Sequence, residues 1–293
     1  WIMKPVIAID CGGTNLRVAA VDEKMNIIAV RRIPTIANDP MKLFSTMLSL
    51  IDEVKEEAHL DEVPSIGLSM CGVVQDNQVG RVGNLGIESF DFLSLFQEHF
   101  PNAKFLFAND ANCSALVEAE YGANKGLSNS IFITISTGIG LGVIHKGEMI
   151  DLPLEAGRMM LELNGKIYEA ESLVAGSGIP RLGNLMGVDI CCAKRFFDGV
   201  REKEPEMLRV YDTWIKELGL LVANLQLLFN VDQFALSGGL MKSADVFFED
   251  LERVANAYIA PWHFKPIKLV RAKFDQDVGI MAAATLAWHA LKK

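Results

Sequence analysis

The sequence lacks any apolar run near the ~20 residues that a membrane-spanning helix needs, although half of its residues are hydrophobic. Its start, "WIMKPVIAID", has neither the long apolar block nor the small-residue cleavage site of a secretory leader. Cysteine is scarce: Cys11, Cys71, Cys113, Cys191 and Cys192, an odd set without a CxxC pair. That excludes a disulfide framework and points to reduced thiols in a cytoplasmic protein. The adjacent Cys191-Cys192 are read as neighbouring core or helix thiols rather than a redox pair. Positive charge is in deficit too. With 28 Lys and Arg against 37 Asp and Glu, the net charge of −9 argues against nucleic acid or an anionic membrane surface as partner. Nucleotides stay open, because a glycine loop and a bound cation hold phosphates without a basic surface.

Several catalytic signatures are missing as well. There is no GxxxxGK[ST], no HExxH and no EF-hand loop. "GIGLG" at Gly138–Gly142 lacks the dinucleotide spacing, and Val143-Ile144 continue a strand where a helix would have to begin.

What is present reads as an α/β protein of one to two domains, since 293 residues exceed the usual size of one core. Val6–Asp10, Leu16–Val21 and Ile27–Ile33 read as a strand meander. Asp39-Pro40 supplies an N-cap and a first-turn proline. Phe44, Met47, Leu48, Ile51, Val54 and Ala58 then recur at helical spacing. Ser65–Val74 and Ala103–Asp110 read as buried strands, and a helix is expected from Ala111 to about Tyr121. The pattern restarts with "SIFITIS" and "GLGVIHKG", a second hairpin around Thr137–Gly140. A helical stripe of Trp214, Leu218, Leu221, Val222, Leu225 and Leu228 follows within Met207–Phe229. "QFALSGGL" is strand then turn, with Ser237 in the turn; "PIKLVRA" is a late strand, and "VGIMAAATLAWHALKK" a terminal helix. No linker divides the halves, so the boundary is expected in or beside the helix after Asp110. The expected lobes are 3–117, completed by 278–293, and 118–277.

Three glycine turns follow apolar strands directly: Gly12-Gly13, Gly138–Gly142 and Gly238-Gly239. Glycine tolerates positive φ and close backbone approach, so successive amides can point at an oxygen-rich ligand. One such turn is as readily a bare hairpin tip; three in order suggest more. Asn109-Asp110 at a strand end has two readings, a helix cap or a catalytic pair.

"AIDCGGTNLRVAAVD", "NDANCSALVEAEYG", "FITISTGIGLGVIHKGEM" and "LSGGL" occur in the order found in the ROK family of repressors, open reading frames and sugar kinases. The chain resembles that family from Ile7 to about Ala287. The resemblance implies the two-lobed actin, Hsp70 and hexokinase-like (ribonuclease H-like) fold, with ATP in the interlobe cleft. It implies that Gly12, Gly13 and Thr14 donate to ATP phosphates, and that Asp10 holds Mg²⁺ or its water. Thr137 and Gly138 would form a second phosphate loop, and Gly238-Gly239 the adenosine-side turn. Asp110 would be the general base for the sugar hydroxyl, with Asn109 fixing the sugar and Asn84 contacting it from "GNLGIESF".

The sequence departs from the family where many members carry Glu-x-Gly-His and a zinc-binding cysteine cluster. Glu155, Ala156 and Gly157 fit, but Arg158 stands at the histidine position and the cluster is absent. No zinc is therefore expected. The later sugar-contact glutamate aligns with Glu171, Glu169 being the alternative. Arginine only donates and keeps a fixed charge. Arg158 either pairs with Glu155 or Glu171 to stiffen the loop, or reaches the ligand and shifts the preference among hexoses and N-acetylhexosamines.

The resemblance implies an ATP-dependent kinase acting on the 6-hydroxyl of glucose or N-acetylmannosamine, and a homodimer. A catalytically inactive sugar-binding or regulatory protein is the alternative. The family's regulators carry a winged helix ahead of the first hairpin; with that hairpin at Val6, none is expected here.

Overall fold

The computed structural model describes residues 4–274 and 278–292. Met3, residues 275–277 and Lys293, which fall within the expected lobe limits, lie outside the described residues. The chain forms two compact units. Among the described residues, one contains 4–117, 150–153 and 278–292; the other contains 118–149 and 154–274.

In the first unit, β1 (Val6–Cys11), β2 (Asn15–Val21) and β3 (Ile27–Pro34) run as an antiparallel meander. The helix α1 (Pro40–Glu57) follows. Asp39 caps it by accepting from the Lys42 amide at 2.9 Å, and Pro40 fits its first turn. β4 (Ser65–Met70) returns parallel to β1. It stops four residues short of the expected end because Gly72, at φ +129°, turns the chain; Val74 instead begins the short ribbon of β5 (Val74–Gln75) and β6 (Gln78–Val79). α2 (Phe92–His99) leads to β7 (Lys104–Asn109), parallel to β4, and α3 (Asp110–Glu120) leaves its end. The sheet order is β3-β2-β1-β4-β7.

Alternation decides the two layers. Ile7, Ile9, Leu16 and Val18 join Phe44, Met47, Ile51, Phe92 and Phe96 in one core, whereas Val6, Ala8, Ala19 and Val21 meet the terminal helix Gly279–Ala290 on the other face. That helix lies so close that a Cβ on Gly67 would stand 1.9 Å from the Ala283 carbonyl oxygen. Ser65 Oγ donates to the Ala287 carbonyl at 2.8 Å, so this small-residue strand is fitted to its helix.

The second unit opens with β8 (Ser130–Ile135) and β9 (Ile139–His145), antiparallel, with β10 (Glu148–Met149) at the edge. A ribbon of β11 (Met160–Leu163) and β12 (Lys166–Glu169) precedes α4 (Glu171–Val174), α5 (Gly178–Leu185), α6 (Ala193–Arg201) and α7 (Pro205–Phe229). β13 (Gln233–Ser237), α8 (Ala244–Ile259) and β14 (Leu269–Arg271) complete the sheet, ordered β10-β9-β8-β13-β14. Trp214, Phe196, Phe197 and Phe247 pack edge-on or tilted in its helical core.

Three expectations fail here. Leu228 is 71% exposed at the end of α7, outside the stripe that buries Trp214 and Leu225. Ser237 is a buried strand residue, because β13 runs to the glycine pair and pairs there with Thr134. Cys191 and Cys192 are neither core nor helical: both are exposed in the segment before α6, their sulfurs 3.6 Å apart.

Candidate active site

In the first unit the three parallel strands end together. Cys11 pairs with Met70 and Met70 with Asn109, so Asp10, the Gly12–Thr14 turn, Cys71 and Asn109-Asp110 collect at one end of the sheet. Carboxyl ends of parallel strands are where open α/β sheets bind ligands, because helices start there and loops diverge.

The first turn is tightly built. The Gly12 amide donates to the Asn15 carbonyl at 3.0 Å. Thr35 braces the tip twice, its amide donating to the Thr14 carbonyl at 2.9 Å and its hydroxyl to the Gly12 carbonyl at 2.7 Å. Gly13 and Thr14 are exposed, so the tip is open to a ligand. The nearest side chain to a Cβ on Gly13 would be Asn84, at 3.6 Å, in the short helical turn Gly83–Leu85. The expected sugar-loop asparagine and the expected phosphate turn are thus neighbours. Asp10 is nearly buried, and its Oδ2 accepts from Arg17 Nε at 2.7 Å and Nη2 at 2.6 Å. Arg17 and Thr35 were not singled out by sequence. Arg17 is legible in hindsight as the residue opposite Asp10 across the hairpin, whereas nothing in the sequence marks Thr35.

Asn109 caps α3, its Oδ1 accepting from the Asn112 amide at 2.9 Å, so the helix-cap reading of this pair holds for Asn109. Asp110 is exposed at the first helical position, with Oδ1 accepting from the Ala111 amide at 2.9 Å. Three thiols lie among these acids. Burial first, then Cys71 and Asp10, pushes the Cys11 thiol far up, and burial with Asp110 and Asp10 does the same for Cys113. Cys71 is pushed up to about 12, by burial and then by the charge of Asp110.

In the second unit, Ser136, Thr137 and Gly138 turn β8 into β9. The Ser136 amide donates to the Gly138 carbonyl at 2.9 Å. Gly176 and Ser177, which sequence reasoning missed, hold this turn from the start of α5: the Gly176 amide donates to the Ser136 carbonyl and the Ser177 hydroxyl to the Thr137 carbonyl. Glu171 packs on the same turn. A Cβ on Gly138 would stand 2.9 Å from Glu171 Oε2, and one on Gly157 would stand 2.7 Å from it. Arg158 Nη1 reaches Glu169 Oε2 and Glu171 Oε1, which raises the guanidinium pKa further; Glu155 acts only as a more distant charge. Gly238 and Gly239 have separate reasons. Gly238, at φ +99°, has Ile135 backbone atoms within 2.3–2.7 Å of where its Cβ would be, whereas nothing lies within 4 Å of a Cβ on Gly239. The first glycine serves close packing, and the second leaves room.

The whole pattern is that of a known family. The ROK family profile matches residues 6–290. The chain belongs to the ROK family. Glucokinase of Thermotoga maritima is 25% identical over 309 residues, covering 96% of each chain. N-acetylmannosamine kinase of Salmonella arizonae is 26% identical over 295 residues, covering 96% of this chain and 97% of that one. A solved ROK hexokinase from Thermus thermophilus superposes with a TM-score of 0.82 at 23% identity over 99% of both chains. The ROK chain described here therefore has the two-lobed, actin-like α/β fold.

Magnesium fits the donor set. Among the described residues no group of three or more His, Cys, Asp or Glu forms a metal-binding cluster. The nearly buried Asp10 carboxylate beside an open glycine turn suits a cation that keeps most of its waters and shares the rest with phosphate oxygens. Among the described residues no helix is long and apolar enough to cross a membrane.

Proposed function

We propose that this chain transfers the γ-phosphate of ATP to the 6-hydroxyl of a hexose or N-acetylhexosamine, glucose or N-acetylmannosamine first, with Asp110 as the general base. It is an ATP-dependent sugar kinase working as a cytoplasmic homodimer. The observation that carries this reading is the shared strand end: Asp10 with its glycine turn and Asp110 with its cap lie two strands apart, about 10 Å by strand spacing. That is room for a phosphoryl group between a phosphate cradle and a base.

In this reading Asn84 and Asn109 orient the sugar, and Glu155 and Glu171 are further sugar-hydroxyl contacts. Asp110 accepts the proton of the attacking hydroxyl. The amides of Gly12, Gly13, Thr14, Thr137 and Gly138 hold phosphate oxygens, and Gly239 gives the adenosine space behind Gly238. Asp10 would hold Mg²⁺ through water, and that cation would supply neutralisation of the charge developing on the phosphate. Orientation and charge stabilisation account for most of the rate in such transfers.

A coupled ADP-release assay with glucose, N-acetylmannosamine, N-acetylglucosamine, fructose and mannose tests the proposal. Turnover on at least one is expected. Tight sugar binding with no turnover on any of them would replace the kinase by an inactive sugar-binding protein.

A further inference from the structure

The Asp10 carboxylate is gripped from two sides. Arg17 faces it across the β1–β2 pair and places both Nε and Nη2 on the single oxygen Oδ2, at 2.7 and 2.6 Å. The two side chains are only 20% and 12% exposed. On the other side stands Gly279, the first residue of the terminal helix. A Cβ there would lie 2.2 Å from Asp10 Cγ and Oδ2 and 2.4 Å from Oδ1, so only glycine lets the helix start reach the carboxylate. A free Asp carboxylate rotates broadly about its last torsion. Two donors on one oxygen, with helix backbone against the group, leave one orientation.

We infer that Arg17, with Gly279, is a positioning residue that fixes the orientation of the Asp10 carboxylate toward the Mg²⁺ of the bound nucleotide. The inference rests on the proposed kinase reading for the nucleotide and for the cation that Asp10 faces. The arginine fork matters more than its charge: lysine would keep the charge and offer a single rotatable ammonium in place of the planar pair. Outer partners that orient a metal-facing group are typically worth ten- to a hundredfold in metal affinity or activity.

Arg17→Lys is the test, because it preserves charge and removes the fork. Titrating Mg²⁺ at fixed ATP, with MgATP binding followed by calorimetry, is expected to show about a tenfold rise in the half-saturating Mg²⁺. Sugar affinity and melting temperature should stay at wild-type values. Gly279→Ala, which pushes a methyl into the carboxylate, should give the same shift together with a lowered melting temperature, so the structural control is read on Arg17→Lys alone. Wild-type Mg²⁺ dependence in Arg17→Lys overturns the inference. So does a fall in sugar affinity and melting temperature that matches the loss of MgATP binding, which marks a general structural role. Should the wild-type protein bind MgATP but phosphorylate no sugar, the kinase reading fails while the calorimetry still decides this one.

Discussion

Arg158 Nη1 lies 2.5 Å from Glu169 Oε2, and the same nitrogen is 3.3 Å from Glu171 Oε1. The guanidinium is 59% exposed, so by itself the cluster is worth about 0–1 kcal/mol. Its effect is geometric. Glu171 has one oxygen on Arg158 while the other fills the space that Gly138 and Gly157 leave by lacking side chains. The base of the β11–β12 ribbon is thereby tied to the turn between β8 and β9.

The brace reading of Arg158 makes a definite prediction. Arg158→His and Arg158→Ala should lower activity on all accepted sugars by a similar factor and leave the ranking of sugars unchanged. Stability should fall by about 1 kcal/mol or less. A sugar panel run on both variants checks this, and a reordered ranking would assign Arg158 to ligand contact instead.

The glycine pair after β13 separates stability from binding. Gly238→Ala forces an L side chain into a positive φ and against Ile135 backbone. It should cost at least about 2 kcal/mol, the scale of backbone strain plus steric conflict. Gly239→Ala meets open space and should stay within about 0.5 kcal/mol of wild type, yet weaken ATP binding. Urea unfolding and nucleotide titration of the two variants give four numbers; equal stability losses would contradict the division of roles.

Much of this was legible in the residues, and the failures share a cause. Asp39-Pro40 announced α1 because a cap and a first-turn proline act within four residues. The Val6–Val21 hairpin was legible because both faces of its strands are apolar and its tip is all turn residues. Leu228, Ser237 and the Cys191-Cys192 pair were misjudged because burial there is decided by tertiary context: which face of the last turn of α7 is covered, how far β13 follows β8, and where α6 starts. Arg17 could have been found only by pairing the hairpin register against Asp10, whereas Thr35, Gly176 and Ser177 support the candidate site from other elements, so no local pattern reveals them.

The cysteines should divide by reactivity. The helix-start amides of Arg195 and Lys194, with the Cys191 thiol, lower the Cys192 thiol pKa, whereas Cys191 itself is raised by its neighbour. A lowered thiol pKa means more thiolate at any given pH below it, so Cys192 should alkylate first as pH rises from 6 to 9. Cys11 and Cys113 are buried and shifted far up, and Cys71 at about 12 stays protonated through that range. Mass spectrometry of the native protein after brief iodoacetamide treatment should find Cys192 modified before Cys191 and the other three protected. Early modification of Cys71 would show that burial and the charge of Asp110 do not suppress its thiolate.

Asn109 and Asp110 each hold a helix amide, so capping and catalysis must be separated by the choice of substitution. Asn109→Ser keeps an oxygen for the Asn112 amide and should unfold within a few tenths of a kcal/mol of wild type, whereas Asn109→Ala should lose about 1 kcal/mol. Both remove the amide proposed to orient the sugar, so both should raise the sugar KM. Asp110→Asn keeps an acceptor for the Ala111 amide but cannot take up the hydroxyl proton. Its kcat should fall by about 10²–10⁴, the range for a general base, with sugar binding and stability close to wild type. If Asp110→Asn instead lost stability and kept kcat, Asp110 would be a helix-start residue alone, and the base would have to be sought among other groups at this strand end.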